Sequence, residues 1–216
     1  MDAKTPPTEI SAPEIVADTD GLRELYPEPT GLAAKKTLPK LDKHCRRFIS
    51  LSPFLTLATS DDDGNLDVSP KGDAPGFVEV VDDTTLLIPD RMGNNRIDGL
   101  RNIAANPHVG ILFLIPGVDE TLRVNGRAHV TTDPDVLSRF IINGKPPTTV
   151  TVVAIDEAFL HCSKAMKRSK LWAEDNRVER SVLPSLGRMI AEQIADGTTV
   201  EAAEARVEES LRTRFY

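Results

Sequence analysis

Residues 53–73 read PFLTLATSDDDGNLDVSPKGD, and this stretch sets the fold. Phe54 to Thr59 reads as a strand, Ser60 to Asn65 as a turn whose Gly64 can take positive φ, and Leu66 to Lys71 as the next strand. The same texture, short β-branched and apolar runs broken by turn residues roughly every 8 to 15 positions, runs onward. Gly76 to Val81 follows, then a turn at Asp82-Asp83 and a strand from Thr84 to Ile88 that Pro89 ends by removing a ladder donor. Further strands are expected at His108 to Ile115, Thr121 to Thr131 and Thr148 to Ile155. Two helices interrupt them. One runs from about Asn94 to Ala105, with Ile97, Leu100, Ile103 and Ala104 on one face and a stop at Asn106-Pro107. The other is short, capped by Asp133 with Pro134 at its first position. About six antiparallel strands with helices in the connections predict a mainly β fold with peripheral helices, a small barrel whose closure removes exposed edges.

Outward from this region the texture changes. Leu41, Cys45, Phe48 and Ile49 fall at helical spacing within Pro39 to Leu51, with Pro39 suited to a first turn. The spacing suggests an arm over residues 1–38 with a short helix near Ile15 to Leu25, a barrel domain over 39–180, and an extension over 181–216. In the extension, Leu183, Leu186, Met189, Ile190 and Ile194, then a break at Asp196-Gly197, then Val200, Ala203, Val207 and Leu211 mark two amphipathic helices packed on the barrel or on a partner.

Composition excludes several classes. Hydrophobic residues at 40% and charged residues at 27% are values of a globular protein rather than a disordered or fibrous one. The longest nearly apolar run, Val109 to Val118, is broken by Pro116 and falls short of the ~20 residues a membrane helix needs, and no secretory h-region opens the sequence. A cytoplasmic location is expected, without membrane contact. Cys45 and Cys162 are too few for a cysteine metal cluster, and the four histidines, at 44, 108, 129 and 161, have no metal-ligand spacing, so no metal is expected. The net charge of −7 argues against a nucleic-acid partner. Its cations are gathered, however. Residues 61–84 hold one lysine against eight acids, whereas 85–130 hold five arginines against four acids and 161–180 six lysines or arginines against three. Two local basic patches suit a small anionic ligand.

Neither a G-x-S-x-G elbow, a P-loop nor a G-x-G-x-x-G pattern occurs. What remains is a set of unusually polar segments. Ser69-Pro70-Lys71-Gly72-Asp73 ends a strand with backbone groups left free of the ladder, which a flat heterocycle could use. Ile88-Pro89-Asp90-Arg91-Met92-Gly93-Asn94-Asn95-Arg96 runs from a strand end toward a helix N-terminus and reads either as a phosphate site or as a solvated loop in which Arg91 and Arg96 pair with Asp90 and Asp98. Arg123, Asn125 and Arg127 share one strand face. His161 to Trp172 is basic and holds the one tryptophan.

In this order the segments PFLTLATSDDDGNLDVSPKGD, LLIPDRMGNNR, NIAANPHVGILFLIPG, ETLRVNGRA and HCSKAMKRSKLW resemble the pyridoxamine 5′-phosphate oxidase-like FMN-binding split-barrel family, over Leu51 to about Trp172. The resemblance implies a six-stranded antiparallel Greek-key split barrel that forms a homodimer with FMN at the subunit interface. It implies that Ser69, Pro70, Lys71 and Gly72 lie along the flavin edge, with Ile88 and Pro89 beside the ring. Asn94, Asn95 and Arg96 would take the phosphate, Arg123 and Asn125 would reach from the partner subunit, and Lys164, Arg168 and Trp172 would close the site. The implied activity is FMN-dependent hydride transfer with an unidentified small molecule. No catalytic acid or base is assigned, because the protein's share of flavin chemistry is to bind, orient and tune the ring. The alternatives are a flavin-binding protein without turnover and a relative that uses a deazaflavin or haem.

One departure bears on substrate. Pyridoxamine phosphate oxidases carry an Arg-x-His-x-Arg type element after the tryptophan that corresponds to Trp172. Here the residues are Ala-Glu-Asp-Asn-Arg177-Val-Glu179-Arg180. Pyridoxamine phosphate is therefore not the expected substrate.

Overall fold

The computed structural model describes residue 16 and residues 18–216. It divides into two units, Met1–Lys36 and Thr37–Tyr216. In the first, Asp18 caps helix α1 (Thr19–Leu25) by accepting the Gly21 N–H at 2.9 Å. A second short helix, α2 (Leu32–Lys35), follows. The start of the expected arm and of its helix near residue 15 lies outside the described residues.

The second unit begins with a bridge between Leu38 and Ala158 and enters α3 (Lys43–Leu51), which starts four residues after Pro39. Asp42 rather than Pro39 sets that start, since its carboxylate accepts both the His44 and Cys45 N–H groups at 2.9 and 2.8 Å. These bonds hold the Asp42 carboxyl below the usual range. Cys45, Phe48 and Ile49 are the buried face of α3, and burial pushes the Cys45 thiol up to about 11. Cys45 is buried and Cys162 is exposed.

Seven strands follow where about six were expected: β1 (Phe54–Ser60), β2 (Leu66–Gly72), β3 (Glu79–Val80), β4 (Thr85–Asp90), β5 (His108–Leu114), β6 (Thr121–Thr131) and β7 (Thr149–His161). They form one antiparallel sheet in the order β2-β1-β5-β6-β7-β4-β3. The seventh is the two-residue β3, the remnant of the run expected over 76–81. Alternation puts Leu55 and Leu57 of β1, Ile111 and Phe113 of β5, Leu122 and Val124 of β6, Val153 and Ala158 of β7 and Leu86 and Ile88 of β4 into one core. Each burial of this kind contributes roughly 1.5–3 kcal/mol before entropy is counted.

Pro89 does not end β4, which pairs with β7 through Asp90↔Thr149. The Thr85 carbonyl accepts from Val81, the residue after β3, so Pro89, four residues on, faces the same side, past the end of the two-residue β3. Its missing N–H therefore costs no ladder bond.

Helix α4 spans Asp98–Ala105 and α5 Pro134–Ser138. The apolar face expected for α4 is only partly realised. Ile103 is buried, but so is Asn102, whereas Ile97 and Ala104 are exposed. Asn102 is retained inside because its amide donates to Thr59 Oγ1 at 3.1 Å and to Asp67 Oδ2 at 2.9 Å. Helix α6 (Lys164–Ser169) follows β7. The expected extension helices are α7 (Leu186–Ile194), capped by Ser185, and α8 (Val200–Thr213), capped by Thr199. The two pack so closely that a Cβ on Gly187 would stand 2.6 Å from Glu204 Cα. Among the described residues no helix is long and apolar enough to cross a membrane.

Candidate functional site

β2 inverts the usual strand pattern. By register, Asp67, Ser69 and Lys71 share the inner face with Thr59, Leu57 and Leu55 of β1, while Leu66, Val68 and Pro70 face outward. Leu66 is 77% and Val68 66% exposed. Asp73 N–H donates to the Pro53 carbonyl, so the backbone groups of alternate residues such as Pro70 and Gly72 point to the open edge of the sheet. The segment stays on the β1 ladder through Gly72 rather than ending the strand, so the groups left off the ladder are those of an ordinary edge strand.

The polar ends of β2 and β4 meet although their strands stand far apart in the sheet order. Lys71 pairs with Asp90, and Arg91 Nε with Asp73 Oδ2 at 3.2 Å. Arg91 also donates to the Phe140 carbonyl at 2.7 Å. The sequence reading had offered Asp90 as the partner of Arg91. The structure assigns Asp73 instead, because Lys71 already occupies Asp90. The Asp73 side chain is only 4% exposed, and a carboxylate so enclosed is stable only with partners of this kind. Ile88 and Pro89 are buried.

From Arg91 the chain turns into α4, whose first residue is Asp98, so Asn94, Asn95 and Arg96 precede the helix rather than begin it. Asn95 and Ile97 both take left-handed φ values, +62° and +52°. For Ile97 such a φ is strained. No side chain caps α4, and its Gly99 faces β1 and β2, where an added Cβ would lie 3.5 Å from Thr59 Oγ1 and 3.6 Å from Ser69 Oγ. Asn94 Oδ1 accepts the Arg96 N–H at 3.0 Å. Arg96 pairs with Asp98 at 2.8 Å, as the solvated-loop reading required, yet its side chain remains 75% exposed. Asp98 raises the Arg96 pKa further above its already high range.

Arg123 and Asn125 lie on the outer face of β6, opposite Leu112 and Gly110 of β5. Each donates to Glu157 Oε1 at 2.8 Å. The Arg123 guanidinium stacks over Phe159, 4.0 Å from the ring centre, and its Nε is buried without a partner. An open groove of about 370 Å³ on this face runs past Leu66, Ala58, Gly110 and Asn125. Lys164 and Arg168 are exposed on α6, and Trp172 donates its indole N–H to the Val118 carbonyl at 2.9 Å.

Of the sequence candidates, the structure brings together Ser69, Lys71, the Ile88–Arg91 strand end and the start of α4. Arg123 and Asn125 stand on the other face of the sheet. Sequence reasoning missed Thr59 and Asn102, both buried, and the half-buried Asp67, which form one polar cluster, and Glu157, which holds Arg123 and Asn125. A polar residue inside each otherwise alternating run was the available signal.

The family model described as pyridoxamine 5′-phosphate oxidase matches residues 41–162. Similar solved structures include a candidate pyridoxamine 5′-phosphate oxidase of Lactobacillus delbrueckii, with 26% identity and a TM-score of 0.45 over 57% of this chain and 98% of that one. HupZ of Group A Streptococcus has 18% identity and a TM-score of 0.46 over 56% and 93%. An FMN-binding protein of Syntrophomonas wolfei has 16% identity and a TM-score of 0.41 over 54% and 81%. No curated protein matches the chain.

Proposed function

The chain belongs to the pyridoxamine 5′-phosphate oxidase family, and from that membership we propose that it binds FMN and acts as an FMN-dependent oxidoreductase on a small molecule other than pyridoxamine phosphate. The observation that carries this reading is the turn from β4 into α4. An exposed arginine, two asparagines and a helix start without a side-chain cap meet there beside Ser69 of β2. Phosphate groups seek such backbone donors and cations.

Asn94, Asn95 and Arg96 would hold the phosphate, with Ser69, Pro70, Lys71 and Gly72 along the ring edge and Ile88 and Pro89 behind it. Bound FMN supplies two-electron transfer, and the chain supplies binding and orientation. The Arg123 side chain is 38% exposed beyond its contact with Glu157, which would let it meet an acceptor from outside its own chain. Because Arg123 and Asn125 occupy the sheet face opposite Ser69, they complete this site only from a second copy, which is the argument for a homodimer. Lys164, Arg168 and Trp172 would close it. The fold that accompanies this reading is a six-stranded Greek-key split barrel, with the two-residue β3 an addition at the sheet edge. The Lys71–Asp90 and Arg91–Asp73 pairs, which tie β2 to β4 without a backbone ladder, support it. In that reading 1–38 is an arm, 39–180 the flavin domain and 181–216 an added helical hairpin.

The test is FMN titration followed by flavin fluorescence. Arg96→Ala is expected to weaken binding roughly 10- to 150-fold, the equivalent of a charge-assisted bond of about 1.5–3 kcal/mol, while Arg206→Ala on α8 leaves it unchanged. Equal retention in the two variants would return the turn to an ordinary solvated loop.

The substrate part has its own assay. Arg180 donates to the Leu183 and Pro184 carbonyls at 2.9 and 3.1 Å, so that guanidinium is spent on backbone rather than offered to a phosphate. With FMN added, oxygen consumption on pyridoxamine phosphate is expected to fall at least about tenfold below that of an authentic oxidase, the effect of one lost charge-assisted contact. Comparable turnover would show that the family's parent activity is retained.

A further inference from the structure

Tyr216 follows α8 in the chain yet reaches the paired ends of β2 and β4. Its hydroxyl donates to Asp73 Oδ1 at 2.9 Å, across a separation of 143 residues. The Arg91 guanidinium lies 5.9 Å from its ring centre, Lys145 Nζ donates to its backbone oxygen at 3.0 Å, and Phe215 stands edge-on to it with ring centres 5.1 Å apart. Three separate segments thus hold one aromatic residue next to Lys71, Gly72 and Asp73. Phe215 itself remains 67% exposed.

The charges beneath this aromatic pair are already matched. Asp90 takes Lys71, Asp73 takes Arg91, and Lys145 is turned to the Tyr216 backbone. Asp73 also raises the pKa of the Tyr216 phenol, first through the hydrogen bond and then through its charge. The hydroxyl therefore stays a neutral donor at physiological pH. An incoming phosphate or sulfonate would meet two carboxylates and no unengaged cation among these groups. A flat uncharged molecule would meet two aromatic rings, a phenol and a charge-balanced floor.

Resting on the flavin reading above, we propose that Phe215 and Tyr216 form a wall of the same site and that this wall selects an uncharged planar ligand. Tyr216 is a specificity-determining residue that contacts the ligand, while Asp73 and Arg91 position it. The wall comes from the helical extension, the part of the chain beyond the matched family region.

The experiment uses FMN-loaded full-length protein with two probes, 1,4-naphthoquinone and 1,4-naphthoquinone-2-sulfonate, read by perturbation of the flavin absorption bands. The neutral quinone is expected to bind about tenfold more tightly than the sulfonate, the effect of one unmatched charge near a surface. Tyr216→Ala should lower binding of the neutral quinone about three- to tenfold, the usual weight of a lost aromatic stack, without changing FMN retention. Tyr216→Phe, which keeps the ring, should stay within about twofold. Equal binding of the two quinones, binding of neither, or an indifferent Tyr216→Ala variant would overturn the proposal. A readout without flavin separates the two readings. In a Tyr26→Phe background Tyr216 is the one remaining phenol, and Asp73→Asn should lower its titration midpoint in the ultraviolet. An unmoved midpoint would overturn the wall whether or not FMN binds. A moved midpoint in a chain that takes up no FMN would fail the flavin reading and the ligand selection that rests on it, leaving the contact alone.

Discussion

Gly126→Ala is expected to lower the melting temperature by roughly 6–12 °C. The pairing of β6 with β7 runs without interruption to Asn125↔Glu157 and resumes at Gly126↔Ile155, so Asp156 is an extra residue. A bulge of this kind draws the two backbones together on one side. At Gly126 an added Cβ would sit 2.1 Å from the Ala154 carbonyl oxygen and 3.2 Å from Ile155 Cα. Both obstacles are backbone in the most extensively paired part of the sheet, so no side-chain rotation relieves the overlap. Overpacking typically costs about 1–3 kcal/mol and more where nothing yields, which places this substitution near ~3 kcal/mol. A chain of this size loses about 2–4 °C per kcal/mol. Gly110→Ala is the control, since its Cβ would meet Asn125 Oδ1 and Ala58 Cβ at ordinary distances of 3.5 and 3.8 Å. Circular-dichroism melts should separate the two variants clearly. Coincident melts would show that the β6–β7 bulge yields freely. The bulge also aims Arg123 and Asn125, both held by Glu157 one residue after it, so flavin affinity is expected to fall in Gly126→Ala beyond what the loss of folded protein explains.

The strands were legible because their signal is local. Most of the expected strands lie near the observed positions and β6 was read to the residue, but the run expected over 76–81 keeps only two strand residues and β7 extends to His161, six residues beyond its expected end at Ile155. The errors arose where a side chain or a distant partner overrode the local pattern. Pro89 reads as a stop in isolation, and only the shortness of β3 makes it harmless. Asn102 looks like a solvent residue on α4 until Thr59 and Asp67, 43 and 35 residues away, supply its bonds. Arg91 has an acid beside it in sequence, but Lys71 had claimed that acid from another strand. The turn over Asn94 to Arg96 was visible as a candidate because its residues are contiguous. The Tyr216 contact was not, since α8 alone says nothing about where its end arrives. Which face each β2 residue takes was likewise hidden, because Leu-Asp-Val-Ser-Pro-Lys alternates equally well in either sense. Registry with β1 decides it.

That orientation gives the largest expected effect. On the proposal of an FMN-binding homodimer, Val68→Asp is expected to leave a 23.6 kDa monomer that does not retain FMN. Leu66 and Val68 point away from the core, and the register continues this face through Ala58 to Gly110 and from Phe54 to Leu114. The outer face is thus mostly apolar over β2 and β5, carries Thr56 and Ser60 beside Phe54 and Ala58 on β1, and becomes polar at Arg123 and Asn125 of β6. Strands expose polar residues outward when water is their neighbour, so the reversal in β2 marks a face that another surface covers. In the homodimer proposed above, a second copy of this chain would cover this face and would also bring Arg123 and Asn125 to the face opposite their own. In a two-fold interface every substitution enters twice. An unpaired carboxylate trapped there costs roughly 3–5 kcal/mol per copy, and since every ~1.4 kcal/mol is tenfold, the dimer should weaken by at least about 10⁴. Val68 is exposed in the single chain, so far-UV circular dichroism should remain that of a folded protein. Val178→Asp, at another exposed apolar position, should remain dimeric and yellow. Light scattering with flavin absorbance on the same eluted peak decides the matter. A dimeric, flavin-loaded Val68→Asp would move the interface elsewhere, and a monomeric wild-type protein that still held FMN would show that one chain completes the site without Arg123 from a partner.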